Sequence, residues 1–387
     1  MKVAVTLIKG WVVVVFVFVL LQACQPSGKD SGVVLLGQAS PLTGQQAAIG
    51  KDNEHGVSQA IAEINAAHWR IAGRPLVLKL DSEDDQADPR MATQVAQRFV
   101  DEGVVAVIGH LNSGTSIPAA RIYAAAGIPE ISPSATAVKL TQQGFKTTFR
   151  LMANDAQQGA ALADYATGTL HALRLAVIDD RTAYGQGLAD QFVLQAQKKG
   201  AVVVARQYTD DKATDFTAIL TQIAGMHPDL LFFGGMYGQA APMVAQMAHL
   251  GMTQRLLGGD GMRTPEFIHL AGVHAEGQLA SKPGVPIESL QKGKAFAAVF
   301  EQRYGKIQNY APYAYDAVYV LVAAMQAAQS TRPADFLPYL AKTHEFDGVT
   351  GKISFDAHGD LVRGAVTLYQ VRQGQWMPVK TVMEASQ

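Results

Sequence analysis

From residue 33 onward, short apolar runs alternate with longer stretches in which apolar residues recur every three or four positions. The short runs are bounded by turn residues and are typical of buried strands, whereas the longer stretches are typical of amphipathic helices. In the first part of the chain this pattern predicts strands at 33–37, 76–80 and 104–108 and helices at 50–65, 89–101 and 113–126. Asp88 before Pro89 is a helix-start signal.

The same alternation starts again after Arg150. Strands are predicted at 175–178, 202–204, 230–233 and 256–257, and helices at 157–169, 187–199, 215–225 and 239–250. Beyond residue 291 the pattern predicts helices at 294–304, 312–329 and 333–342, then a final pair of strands at 351–355 and 365–370 separated by a turn at 356–360. Strand–helix alternation favours parallel, doubly wound sheets, so we predict an α/β protein with two lobes.

Length, composition and charge agree with this class. A chain of 387 residues exceeds what one hydrophobic core usually serves. With 48% hydrophobic and 17% charged residues it is globular rather than disordered. The formal charge of −1 argues against a nucleic-acid partner, which would need a basic face.

The first thirty residues have the pattern of an export signal. Lys2 and Lys9 precede an apolar run at 11–21, which is too short to span a bilayer comfortably. The following Leu21-Gln-Ala-Cys24 resembles the lipobox of bacterial lipoproteins. The resemblance implies that residues 1–23 are a signal peptide, that Cys24 is lipidated and that 24–32 form a tether. An ordinary secretory signal with an incidental cysteine is the alternative.

Catalytic and metal-binding motifs are absent from the sequence. There is no P-loop, no His-Glu-x-x-His, no metal-ligand spacing among the ten histidines and no Gly-x-Ser-x-Gly around Ser113. We therefore predict a protein that is not an enzyme and that holds neither a metal nor a cofactor. His110, at a strand end, is predicted to be a hydrogen-bonded structural histidine. A hydrolase using Ser113 stays open as an alternative and would need a histidine base.

Hydroxyl groups and a carboxylate follow the predicted strands, where open parallel sheets bind ligands. Ser113 and the stretch 132–136 belong to the first half, and Tyr184 and Asp260 to the second. Hydroxyls and the N–H groups of a helix N-terminus suit a carboxylate, and an acidic side chain suits an ammonium. These loops therefore predict a clamp for a small zwitterion, although Ser113 alone has the simpler interpretation of a helix cap.

Four of these stretches carry a resemblance to a known family. They are 107–114, 127–136, 179–189 and 257–261. The sequence resembles the leucine/isoleucine/valine-binding family of periplasmic substrate-binding proteins, which serve ABC importers, over 33–375.

The resemblance implies a type I periplasmic binding fold, in which two Rossmann-like doubly wound lobes are joined by a three-segment hinge. Lobe 1 would comprise 33–150 plus 281–347, and lobe 2 would comprise 151–280 plus 348–387. Such a protein closes on an amino acid in the cleft and docks on the membrane subunits of an ABC permease. We expect this chain to act as a monomer. It would lie in the periplasm or at the cell exterior, anchored through Cys24.

The family's binding residues carry over by position. The resemblance implies that Ser113 holds the ligand carboxylate, that Asp260 faces the ammonium, that Tyr184 lines the cleft and that Tyr310 contacts the ligand side chain. The loop of Ser134, Ala135 and Thr136 would meet the zwitterion, with a carbonyl at Ser134 and a hydroxyl and N–H at Thr136.

Three positions depart from the family pattern. Ile49 replaces an aromatic of some members, Asn112 a disulfide-bonded cysteine and Tyr237 a residue that is often acidic. The departures leave the amino acid open, and a binder of short amides or urea remains an alternative.

Overall fold

A computed structural model of the protein describes residues 33–385. Its strands, in chain order, are β1 (Val33–Ser40), β2 (Arg70–Ile71), β3 (Arg74–Pro75), β4 (Val77–Asp84), β5 (Ala106–Gly109), β6 (Glu130–Ser132), β7 (Thr148–Arg150), β8 (Arg174–Asp179), β9 (Val202–Tyr208), β10 (Leu230–Gly234), β11 (Arg255–Gly258), β12 (Leu279–Pro283), β13 (Phe346–Gly348), β14 (Gly351–Ile353), β15 (Arg363–Arg372) and β16 (Gln375–Ala385).

The α-helices of the same part are α1 (Ala47–Ala66), α2 (Pro89–Glu102), α3 (Ser113–Ala126), α4 (Asp155–Asp164), α5 (Ala183–Lys198), α6 (Thr217–Ala224), α7 (Tyr237–His249), α8 (Pro265–Ala271), α9 (Gln291–Tyr304), α10 (Ala311–Ala328) and α11 (Pro333–Leu340). None of these helices is long and apolar enough to cross a bilayer.

The first sheet has five strands in the order β4-β1-β5-β6-β7, and β5 pairs in parallel with both β1 and β6. Successive residues of β5 face opposite sides, because side chains alternate along a strand. Val107 packs with residues of α2 and α3, whereas Ile108 packs with residues of α1 and α10. Helices therefore cover both faces, as the predicted doubly wound architecture requires.

The second sheet has seven strands in the order β16-β15-β12-β11-β10-β8-β9. Its five strands from β8 to β12 pair in parallel, and β15 and β16 extend it in the antiparallel sense. All five residues of β10 are buried, and Phe232 stacks on Phe192 of α5 with ring centroids 4.1 Å apart. A strand without exposed residues is typical of a parallel sheet covered on both faces.

The strand order reverses between β1 and β5 in the first sheet and between β8 and β10 in the second. Ligands of such sheets bind outside the carboxyl ends of the strands at these reversals. The chain passes between the sheets after Arg150, after Pro283 and between Ile353 and Arg363. These three crossings confirm the predicted fold with two lobes and a three-segment hinge, while the predicted lobe boundaries at 150, 280 and 347 stay a prediction.

The two predicted final strands are both present, but they do not pair with each other. β14 pairs with β13, and β15 pairs with β12 and β16, so that only a single bridge from Phe355 to Leu361 joins the two segments. The predicted turn is confirmed, because the N–H of Asp356 donates to the carbonyl oxygen of Asp360 at 2.8 Å. The predicted helix start at Asp88 is also confirmed, since its Oδ1 accepts from the N–H of Arg90 at 2.7 Å.

A buried ion pair fixes the first crossing. Arg150 is fully buried, and its Nη2 lies 2.5 Å from Oδ1 of Asp360. The other end of the guanidinium, Nη1, donates to the carbonyl oxygens of Ala135 at 3.1 Å and Ala137 at 2.8 Å. Arg150 therefore ties the third crossing segment to the loop that follows β6.

The structure confirms His110 as a structural histidine. Its ring is fully buried, with Nδ1 2.7 Å from Oδ2 of Asp85 and Nε2 2.9 Å from the hydroxyl of Tyr123. Both ring nitrogens are therefore engaged within the first sheet and its helices.

Replacing Glu130 with Gln should change how stability depends on pH. Glu130 is fully buried, and neither carboxylate oxygen forms a hydrogen bond of good geometry with the described residues. Burial raises the pKa of this carboxyl well above its ordinary value of 4.5. The folded state therefore favours the protonated form of Glu130. The stability that the protonated carboxyl contributes is lost as the pH rises from its ordinary pKa through its raised pKa in the folded state. Thermal unfolding of wild type and E130Q at about pH 5 and about pH 8 measures this. The Tm of the variant relative to wild type should increase with pH, and a pH-independent difference would contradict the assignment.

Candidate ligand-binding cleft

Helix α3 begins at the carboxyl end of β5 without a side-chain cap. Asn112 is the N-cap residue but forms no capping hydrogen bond. Ser113 is the first helical residue, and its Oγ accepts from the N–H of Ala137 at 3.1 Å. The helix-cap interpretation of Ser113 is therefore wrong. The bond uses a lone pair of Oγ, so the hydroxyl proton remains for another acceptor.

The loop after β6 is held by its own polar groups. Ser134 Oγ donates to the carbonyl oxygen of Leu111 at 2.9 Å, and the N–H of Ala135 donates to Oγ of Ser132 at 3.0 Å. Thr136 differs from these residues. It is fully buried, and its Oγ1 has no hydrogen bond of good geometry to any described residue. The loop thus presents one unsatisfied hydroxyl, which is costly unless a partner arrives.

Asp260 lies at the carboxyl end of β11 and is the most heavily bonded carboxylate of the cleft. Its Oδ2 accepts from the hydroxyl of Tyr310 at 2.7 Å. Its Oδ1 accepts from the hydroxyl of Tyr184 at 3.0 Å and from Nε2 of Gln158 at 3.1 Å. The residue is 1% exposed, and burial raises its pKa although the three donors oppose the rise. A cationic partner would stabilise this carboxylate further.

The two phenols are positioned from different elements. Tyr184 follows the N-cap residue Thr182 at the start of α5, and its hydroxyl also accepts from the N–H of Gly261 at 2.9 Å. Tyr310 precedes α10, where Oδ2 of Asp52 accepts from the N–H groups of Asn309, Tyr310 and Ala311 at 2.9, 2.7 and 2.8 Å. The carboxylate of Asp52 on α1 therefore fixes the backbone that carries Tyr310.

The two sides of the cleft touch each other, so the structure shows a closed form. Tyr310 and Asn309 precede α10, which packs on α1, and both reach Asp260 beside the second sheet. At the cleft mouth the hydroxyl of Tyr237 donates to the carbonyl oxygen of Gln45 at 2.5 Å. Tyr237, one of the three departures from the family pattern, thus joins the two sides.

The other two residues that depart from the family pattern lie on the side of the cleft formed by the first sheet and its helices. Ile49 is fully buried in α1, and Nδ2 of Asn112 donates to Oε1 of Gln46 at 2.7 Å. Asn112 therefore ties the start of α3 to the segment before α1 by a hydrogen bond.

Sequence reasoning missed three residues of the cleft. Gln158 on α4 donates to Asp260 and accepts from Oγ of Ser281 at 2.9 Å. Asn309 donates from Nδ2 to the carbonyl oxygen of Asp260 at 2.9 Å. Asp155, the first residue of α4, is buried beside Thr136. No local motif marks them, because each reaches the site only through the packing of distant segments.

Nothing at Ser113 supports hydrolysis. The two ring nitrogens of His110 are bound to Asp85 and Tyr123, and within residues 33–385 no histidine hydrogen-bonds to Ser113. Among these residues there is also no cluster of three or more His, Cys, Asp or Glu side chains suited to a metal ion. Cys24, the predicted lipidation site, lies outside the described residues.

Known proteins resemble this chain over most of its length. The family model described as periplasmic binding protein matches residues 34–375. An amino acid binding protein of Pseudomonas aeruginosa is 35% identical over 340 residues, which is 87% of this chain and 90% of that protein.

Two solved structures are similar over their whole length. The leucine binding protein LivK of Thermotoga maritima has a TM-score of 0.84 and 28% identity, covering 90% of this chain and 98% of that one. The branched-chain amino acid binding protein LivJ of Streptococcus pneumoniae, in complex with isoleucine, has a TM-score of 0.83 and 28% identity, covering 91% of this chain and 100% of that one.

Proposed function

The chain belongs to the periplasmic binding protein family, and on this premise we propose that it is the extracytoplasmic binding component of an ABC importer. Its ligand is an amino acid with a branched aliphatic side chain, taken up in the cleft and passed to the membrane subunits of the permease. The similarity to LivK and to isoleucine-bound LivJ supports this ligand class.

The observation that carries the proposal is the environment of Asp260. A fully buried carboxylate that accepts from two phenols and an amide, and that forms no salt bridge with a described lysine, arginine or histidine, is suited to an ammonium ion. On the other side, the Ser113 hydroxyl and the uncapped start of α3 are suited to a carboxylate. The two sides together complement an amino-acid zwitterion.

The remaining site residues are assigned within this proposal. Thr136 directs its free hydroxyl, and Ser134 its carbonyl, at the zwitterion, and Ala135 lies between them. Tyr184 and Tyr310 hold Asp260 in place, and the ring of Tyr310 borders the ligand side chain. The protein acts as a monomer attached to the membrane through a lipidated Cys24.

Two other functions fit the cleft less well. A short amide or urea carries no charge and would leave Asp260 buried without a cationic partner, which is unfavourable. A hydrolase using Ser113 would need a base, and the described histidines supply none at its hydroxyl. Binding without chemical conversion is therefore the function that the geometry favours.

A thermal-shift panel of leucine, isoleucine, valine, acidic and basic amino acids, short amides and urea tests the ligand class. A ligand at one hundred times its Kd stabilises the folded protein by about 2.7 kcal/mol, so a true ligand raises Tm measurably. We expect shifts with the branched aliphatic amino acids and none with urea or acetamide. Shifts with amides alone would favour the amide binder, and no shift with any aliphatic amino acid would refute the proposal.

A further inference from the structure

A second carboxylate lies in the cleft and no function has been assigned to it. Asp155 is 1% exposed, and neither of its carboxylate oxygens forms a hydrogen bond of good geometry with the described residues. Buried carboxylates in folded proteins are normally paired or hydrogen-bonded. An unsatisfied one beside a ligand site indicates an arrangement that is completed when the ligand binds.

The backbone places Asp155 against Thr136. The N–H of Asp155 donates to the carbonyl oxygen of Thr136 at 2.8 Å, and the Thr136 hydroxyl is close enough to the carboxylate to lower its pKa. On the opposite side, a Cβ added at Gly187 of α5 would lie 3.3 Å from Oδ2 of Asp155. Two unsatisfied buried groups, one acidic and one hydroxylic, therefore adjoin each other where α5 closes over the loop after β6.

Asp155 forms no salt bridge with a described cation. Asp260 is the other carboxylate that acts on it, and both carboxylates raise the pKa of the Tyr184 phenol. Arg150 is a described cation that acts on it, but its guanidinium is paired with Asp360. An adjoining cavity of about 250 Å³ is lined by Lys139 and Asp190, whose charges have opposite signs. Burial raises the pKa of Asp155 to about 8, chiefly because the ionised form lacks solvent.

We propose that Asp155 is a positioning residue of the ligand site, acting through Thr136 on the ammonium of the bound amino acid. This inference rests on the function proposed above. With the ligand bound, the carboxylate accepts a hydrogen bond from the Thr136 hydroxyl, and the lone pairs of Oγ1 are then directed at the ligand ammonium. Without Asp155 the hydroxyl is free to rotate and to donate elsewhere. The ammonium in turn favours the ionised carboxylate, so each group stabilises the other.

Gly187 of α5 lies against the carboxylate of Asp155. Gly187 lies in the first turns of α5, and a side chain there would press on the carboxylate of Asp155. A Cβ there would require the carboxylate to shift by a few tenths of an ångström. The glycine at position 187 therefore allows α5 to pack closely against Asp155.

Calorimetric titration of four proteins with two probes tests the role of Asp155. The proteins are wild type, Asp155→Asn, Thr136→Val and the double variant, and the probes are L-leucine and 4-methylpentanoic acid, which is leucine without its amine. We expect Asp155→Asn to weaken leucine binding about tenfold or more, as loss of a hydrogen bond to a charged group does. Binding of 4-methylpentanoic acid should change little. In the Thr136→Val background, Asp155→Asn should have almost no further effect on leucine.

Asp190→Asn is the matched control, because it removes a negative charge at the rim of the same cavity from an exposed side chain. It should leave leucine affinity unchanged. Equal losses for both probes, additive effects of the two substitutions, or unchanged leucine binding in Asp155→Asn would overturn the assignment. Where the acid binds too weakly to measure, the double-mutant cycle on leucine decides. Failure of wild type to bind leucine would instead refute the proposed function, so the two failures are distinguishable.

Discussion

Replacing Asp260 with Asn is expected to weaken leucine binding by about a hundredfold or more. Removing one partner of a buried, hydrogen-bonded charge pair costs several kcal/mol, because the other charge is left without its counterion. Here the charge left behind is the ligand ammonium, since Asp260 is 1% exposed and bonded to Tyr310, Tyr184 and Gln158. Calorimetric titration of the variant with leucine measures the loss.

The ligand-free fold should survive this substitution. Burial raises the pKa of Asp260, so the ionised carboxylate is itself unfavourable in the empty cleft. The Tm of ligand-free Asp260→Asn should therefore equal or exceed that of wild type. Asp316→Asn is the control for ligand-free stability. Asp316 is also a buried acid, but its carboxylate accepts from the backbone N–H groups of Val349 and Thr350, so its replacement should lower the Tm. Equal leucine affinities of Asp260→Asn and wild type would show that the ammonium site is misassigned.

Replacing Arg150 with Met is expected to lower the free energy of unfolding by about 3–5 kcal/mol. The substitution leaves Asp360 buried without its partner and also removes the donor to the carbonyl oxygens of Ala135 and Ala137. Urea denaturation followed by circular dichroism gives the change in the free energy of unfolding.

An exposed ion pair provides the comparison. Arg332 bonds to Asp335 through two nitrogens, but its side chain is 79% exposed, so Arg332→Met should change stability far less. If Arg150→Met and Arg332→Met unfolded at the same urea concentration, the buried pair would not be the structural tie that we describe. Because Arg150 holds the Ala135–Ala137 backbone, Arg150→Met should weaken leucine binding as well.

Much of the fold could be predicted because it follows from local periodicity. The fully apolar β10 and the start of α2 at Asp88 carry their signals within a few residues. Short strands with polar residues carry no such signal. The strand β12 contains the buried residues Ser281 and Lys282, and its place in the sheet depends on β15, which lies about 80 residues later.

The residues of the site also differ in whether the sequence indicates them. The positions of Ser113, Tyr184 and Asp260 could be predicted, since each follows a strand at the sheet edge that parallel sheets use for ligands. Gln158 and Asp155 could not, because they belong to a helix whose approach to Asp260 and Thr136 depends on the crossing between the lobes. The role of Asp360 was hidden for a similar reason. The sequence shows an ordinary turn, and only the packing of the first and third crossing segments brings its carboxylate to Arg150.

The central claim is that the cleft binds a branched-chain amino acid without altering it. Equilibrium dialysis of the full-length protein against L-leucine, with mass analysis of the ligand recovered afterwards, tests this most directly. We predict saturable binding of one leucine per chain, abolished or strongly weakened in Asp260→Asn, and recovery of chemically unchanged leucine. Absence of saturable binding with leucine, isoleucine and valine alike, or recovery of a converted ligand, would contradict the account.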